Sequence, residues 1–312
     1  MTTRTLTSVR VQGRLQREEG GLLHEQKPGH VSVMVKEVLE GLQVHDGDVV
    51  VDATYGLGGH SAALKGEAKI RLIAIDADPK AGVIEANFGE LDNVLKKEKI
   101  AQVDKVLFDL GWNSTQLVSG RGFSFLHDEM LNMSYGKKPA SGFTASEIVN
   151  TWDEETLANV LYGYGEEQYS RRIAKAIIER REVQPITTTI ELEEIIRDAV
   201  PAAYRKGRLH PATKTFQALR MATNDELGVA ERGLRSAWAH LACGLPGQGG
   251  RIAVITFHSI EDRLVKRLFA SFAKEDGRLV YKKPVAPSRA EISSNPRARS
   301  AKLRVIEKIC KK

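Results

Sequence analysis

The segment Val49-Val50-Val51-Asp52-Ala53-Thr54-Tyr55-Gly56-Leu57-Gly58-Gly59-His60-Ser61 constrains the fold more than any other. Three valines and an acid read as a buried strand ending in a carboxylate. A glycine turn follows, and then an Ala-containing stretch that reads as a helix to about Lys65. Strand, glycine turn and helix form the ligand corner of a doubly wound α/β sheet. Glycine permits φ > 0 and lets a ligand lie against bare main chain, and the helix start offers N–H groups to an anionic moiety. The spacing is G-x-G-G, with Ser61 where a dinucleotide fingerprint carries its last Gly or Ala. A nicotinamide site is therefore poorly matched. S-adenosylmethionine, which has no pyrophosphate, suits the corner better, and a plain tight turn is the bland alternative.

Downstream strands repeat the pattern. Arg71-Leu72-Ile73-Ala74-Ile75-Asp76 ends in an acid 24 residues after Asp52. An acid there hydrogen-bonds ribose hydroxyls in such folds, or else caps the following helix, since Asp78-Pro79 comes next. Val83 to Phe88 reads as a third strand, although a parallel crossover usually needs about a dozen residues. Val103 to Gly111 is the fourth, carrying Asp109 at its carboxyl end. Asp52, Asp76 and Asp109 are expected to converge on one crevice.

The rest divides into three parts. Residues 1–27 read as a disordered basic tail or, alternatively, a transit segment. Residues 28–116 and 213–312 form the sheet domain, interrupted by a helical insert at 117–212. Within the insert, helices are expected over 144–162, 165–182 and 188–199. The second of these is basic through Arg171, Arg172, Lys175, Arg180 and Arg181, and reads as a solvated face or an RNA-phosphate surface. One long helix is expected over 213–242, then a buried strand over 249–258, a helix over 259–273 and a returning strand over 301–308. With 42% hydrophobic residues and no apolar run of 18, a full core and no transmembrane helix are expected. The net charge of +6 hints at a nucleic-acid partner. Cys243 and Cys310 have no metal or redox spacing, fit a reducing cytoplasm, and are assigned no role.

The stretches YGLGGHS, AIDADP, VLFDLGWNSTQL, GRGFSF, YGEE, PITTT, HPATKTFQALR, NDEL, FHSIEDRLVKR and NPRARSAKLR occur in one order. Together they resemble the bacterial small-subunit ribosomal RNA cytosine-N4 methyltransferases, the RsmH or MraW family, over about residues 30–308. The resemblance implies a class I methyltransferase fold with an inserted helical substrate domain. It implies S-adenosylmethionine as donor and a decoding-centre cytosine of small-subunit (16S) ribosomal RNA as acceptor. The RNA is expected within a ribosomal particle in the cytoplasm, with no membrane partner; a homodimer is allowed. The family's donor contacts map onto Gly58, Gly59, His60, Asp76, Phe88, Asp109 and Gln116. Asp109 is the candidate acceptor for the amine hydrogens, with Asn113 and Ser114 holding the base edge; no metal is expected.

This chain departs from the family at Trp112, Asn113 and Thr115, at Asn132 and Ser134, and at Ser32. The pocket changes motivate a rival reading, a non-catalytic RNA-binding or ribosome-assembly factor that keeps the fold. Trp112, Phe123 and Phe125 read either as stacking partners for an extruded base or as core aromatics. His60 reads as helix-start packing rather than a general base, and the role of His258 is open.

Overall fold

The computed structural model describes residues 31–110, 117 and 119–310. The basic stretch at 1–27 and the pocket candidates Trp112, Asn113, Ser114 and Gln116 lie outside the described residues.

Seven strands form one sheet: β1 (Val49–Asp52), β2 (Arg71–Asp76), β3 (Ile84–Glu85), β4 (Lys105–Asp109), β5 (Arg251–Thr256), β6 (Gly277–Leu279) and β7 (Lys302–Lys308). Their order is β3-β2-β1-β4-β5-β7-β6. The pairs from β3 to β5 are parallel, and β7 runs antiparallel to both neighbours. The strands read as unbroken apolar runs because both faces are covered. Along β5, Ile252 and Val254 enter one core, and Ala253 and Ile255 the other. In β4, Val106 and Phe108 face the first core, while Leu107 faces the second. The first core is closed by α3 (Leu91–Lys97), α10 (Glu226–His240) and α11 (Ser259–Glu275). The second is closed by α1 (Val35–Leu42) and α2 (Gly59–Glu67).

The short crossover is real. A 3-10 turn at Pro79–Ala81 links β2 to β3, and Ile84 and Glu85 pair in parallel with Ile75 and Asp76. The strand is shorter than expected, because the Asn87 side chain accepts the Gly89 N–H and turns Phe88–Glu90 into a second 3-10 helix.

A third core lies wholly in residues 131–222. It is built by α4 (Ala145–Thr151), α5 (Glu154–Gly165), α6 (Ser170–Val183), α7 (Thr189–Ala199) and α9 (Thr213–Thr223), with α8 (Ala202–Arg205) beside them. Two helices expected to be continuous are broken. Asp153 caps α5 by accepting the Thr156 N–H at 2.9 Å, which ends α4 before it. Between α9 and α10, Asp225 takes a left-handed φ of 44°. There the Asn224 side chain donates to Met133 O at 2.7 Å and accepts from Tyr135 N at 2.9 Å. A helix α12 (Arg289–Ser294) precedes β7.

The two cysteines, which have no metal or redox spacing in the sequence, are bonded to each other. Cys243 and Cys310 form a disulfide with Cα atoms 5.0 Å apart across 67 residues. The pairing follows from topology: the end of β7 returns beside the segment leaving α10, where Gly244 bridges Ile309.

Candidate active site

The three strand-end acids have different roles. Asp52 is 1% exposed and faces inward. It accepts the Ser61 hydroxyl at 2.6 Å and the Thr54 N–H at 3.2 Å, tying α2 to β1. Burial raises its pKa above the ordinary aspartate value, against the Ser61 hydrogen bond. Asp52 is thus used as scaffold, while Asp76 and Asp109 are only part-buried.

Asp76 holds the glycine turn. One carboxylate oxygen accepts the Gly56 N–H and the other the Asp78 N–H, each at 2.7 Å. Desolvation raises its pKa, opposed by those two N–H groups. It does not cap the next helix. Asp78 does, accepting the Lys80 N–H at 3.1 Å.

Gly56 and Gly58 have φ of 56° and 80°, a region that side chains disfavour. A Cβ on Gly58 would lie 2.6 Å from the Tyr55 hydroxyl, and one on Gly59 would run into Ser32 Oγ. The bare turn is therefore demanded by packing against Tyr55 and Ser32. The His60 ring is nearly buried, and its Nε2–H donates to Val33 O at 2.9 Å. Its Nδ1 lies 3.8 Å from Asp109 Oδ2. The bond from Nε2–H fixes the ring at the start of α2, with Nδ1 turned toward Asp109. The Asp109 N–H donates to Thr54 Oγ1 at 2.7 Å, locking the end of β4 to the turn after β1. Phe88 packs edge-on to Phe108 with centroids 5.5 Å apart, and Gly233 lies against it.

The insert reaches this crevice through Arg121, whose guanidinium pairs with Asp78 at 2.8 Å and donates to Tyr135 O at 2.7 Å. Phe123 stacks on Tyr135 at 5.5 Å, and Phe125 on His210 at 4.5 Å. Both phenylalanines pack against the insert's core. Asn132 Oδ1 accepts the Ser134 N–H at 2.8 Å, and Ser134 Oγ donates to Gly136 O.

Sequence reasoning missed a polar junction between the insert and the end of β5. Arg220 grips Glu226 at 2.7 and 3.0 Å, and the Tyr135 hydroxyl donates to the same carboxylate at 2.9 Å. Burial pushes the Tyr135 phenol well above its ordinary pKa. Burial acts to lower the Arg220 pKa, but the Glu226 charge outweighs it and holds the guanidinium above its usual range. Glu261 accepts the Phe257 N–H at 2.9 Å, and its Oε1 lies 3.0 Å from His258 Nε2. Ligand atoms of Glu226, His258 and Glu261 fall within 4.8 Å of one another. Arg220 already occupies both oxygens of Glu226, so the junction has its cation and is not assigned to a metal. The sequence signal was present: Arg220, Glu226 and Glu261 are charges inside otherwise apolar helical patterns.

A parallel sheet with one antiparallel strand next to its edge, and a bare glycine turn held by the acid ending β2, define a class I S-adenosylmethionine-dependent methyltransferase. A sequence model of the MraW methylase family matches residues 27–309, and the chain belongs to that family. Its relatives include proteins named ribosomal RNA small subunit methyltransferase H. The one from Rhodospirillum centenum is 42% identical over 89% of this chain and 92% of its own length. The one from Synechococcus elongatus is 44% identical over 90% and 95%. That from a Paenibacillus species is 40% identical over 90% and 99%. S-adenosylmethionine is accordingly the cofactor. No described helix is long and apolar enough to cross a membrane.

Proposed function

We propose that this protein methylates N4 of a cytosine in the decoding centre of small-subunit ribosomal RNA. The observation that carries the reading is the hold of Asp76 on the Gly56 N–H, which keeps a Cβ-free turn beside a half-buried carboxylate. Gly58, Gly59 and His60 would line the amino-acid end of the donor. Asp76 would take the ribose, Phe88 the adenine side, and Asp109 and Gln116 the floor. The bound cofactor supplies an electrophilic sulfonium methyl.

The exocyclic amine is a weak nucleophile because its lone pair is conjugated with the ring, so placement matters most. Asp109, at the strand end locked by Thr54, would accept an amine hydrogen as positive charge develops on nitrogen. Asn113 and Ser114 would hold the base edge. The target base must leave its stack to reach the crevice. We assign residues 117–212 to substrate recognition and extend that unit through α9, because Phe216 and Leu219 share its core. The substrate reading points to a ribosomal particle and a cytoplasmic site of action. The Cys243–Cys310 bridge takes the place of the two free thiols that the sequence suggested.

A second reading, a non-catalytic assembly factor, is favoured by one observation: Asn132 and Ser134 spend their polar atoms on local turns. The test of both is labelled-donor methylation of small subunits that lack the modification, followed by mass mapping. New N4-methylcytosine made by the wild type supports the enzyme, and its loss in Asp109→Ala beyond any loss of donor binding, measured separately, assigns the acceptor role to Asp109. Donor binding without label transfer selects the assembly factor.

A further inference from the structure

Resting on the ribosomal RNA reading above, we propose that a basic surface spanning the insert and the sheet domain clamps the unstacked RNA strand flanking the target. It comprises Tyr162, Arg171, Arg172, Arg263, Lys266 and Arg267. The two lobes meet at Glu166, the residue after α5. Glu166 accepts the Ser259 hydroxyl at 3.1 Å and pairs with Arg263 at 3.2 Å, while Lys214 donates to its carbonyl at 2.9 Å. Ser259 begins α11 just beyond the carboxyl end of β5, the end of the strands at which ligands bind in such sheets. Lys266 and Arg267 lie three and four residues after Arg263, on the same face of α11. Arg171 and Arg172 are exposed in the first turn of α6, which starts four residues after Glu166.

Apart from Glu166, which is engaged by Arg263 and Ser259, the nearby acids are held elsewhere. Glu261 is buried in the polar junction, and Asp262 is held by Arg304 at 2.7 Å and Lys302 at 3.4 Å. Glu167 is fully buried against Tyr204. Arg171, Arg172, Lys266 and Arg267 form no ion pair among the described residues. Around the Glu166–Arg263 pair, Arg171, Arg172, Lys266 and Arg267 therefore leave a net positive surface, which is what a phosphodiester chain requires. Tyr162 is 67% exposed one helical turn before Glu166. An exposed aromatic within a basic surface supplies a stacking platform for an unpaired base.

The test measures binding of a small-subunit ribosomal RNA transcript, and of assembled subunits, against salt concentration. The variants are R171A/R172A, K266A/R267A and Y162A, each first shown to bind S-adenosylhomocysteine like the wild type. The arginine and lysine pairs should lower the slope of log K against log salt by about 0.7 for each phosphate no longer neutralised. They should also raise the KM for RNA with kcat unchanged. Y162A should weaken binding about tenfold, within the range of one base stack, without changing the slope. Wild-type affinity and slope in all three variants would overturn the surface alone. A loss confined to assembled subunits would transfer it to an acidic protein partner. A wild-type protein that binds neither RNA nor subunits would bring down the functional reading as well.

Discussion

Asp76, at the end of β2, accepts the backbone N–H of Gly56 from the turn that leaves the adjacent strand β1, at 2.7 Å. One carboxylate thereby shapes the glycine turn. Its second oxygen holds the Asp78 N–H and so sets the exit of β2 as well.

Donor binding should therefore depend on Asp76 and on its ionisation. Asp76→Ala is expected to abolish measurable S-adenosylhomocysteine binding by calorimetry while the fold, read by circular dichroism, persists. Burial raises the folded-state pKa above 3.8. Folding therefore favours the protonated form. The stability gained from protonation is complete below the unfolded pKa and is lost as pH rises through the higher folded value. Ribose hydroxyls need the ionised acceptor, so donor affinity should change in the opposite direction and fall as pH drops through that value. Affinity that stays flat down to pH 3.8 would remove Asp76 from the ribose contact.

Gly59 faces Ser32, where a Cβ would collide with the hydroxyl. Gly59→Ala should lose about 1–3 kcal/mol, the usual cost of overpacking. Removing the hydroxyl by Ser32→Ala should restore most of it. A double-mutant cycle in urea reads the coupling; additive losses would show that the two residues do not press on each other.

The Arg220–Glu226 pair is enclosed, with both side chains 12% exposed. Glu226→Gln leaves a buried guanidinium without its counter-charge and should cost about 3–5 kcal/mol. Replacing both members by apolar residues of similar size should cost less than either single change. The order of urea midpoints among the three variants decides the point.

The Cys243–Cys310 bridge closes a loop of 67 residues. By the loop-entropy relation it should contribute about 4 kcal/mol. Protein unfolded without reductant should show no titratable thiol, and two after reduction. Two thiols before reduction would mean that the bond is not formed under those conditions.

Several elements are legible directly in the residues. The runs VVVD and RLIAID coincide with β1 and β2, since a strand buried on both faces is an uninterrupted apolar run with a polar end. The glycine turn is legible because few residue types tolerate its dihedrals. The break between α9 and α10 is not, because the apolar spacing continues through Asn224 and Asp225. Only the arrival of Met133 and Tyr135 from the insert gives Asn224 something better to bond than its own helix.

Asp52 and Asp76 show where local information ends. Each is an acid closing an apolar strand, and the chain around each reads alike. Sequence by itself determined all of the strands but β6, the bare turn, the family and the donor. Tertiary structure alone decided that Ser61 folds back to consume Asp52, and that Asp76 instead holds the Gly56 and Asp78 N–H groups. It also brought Cys243 to Cys310, and Glu166 to Arg263. The physical reason is that a side chain's neighbours along the chain set its propensity. Which partner satisfies its charge or hydrogen bonds is set by whatever the packed sheet and helices carry to it from far away in sequence.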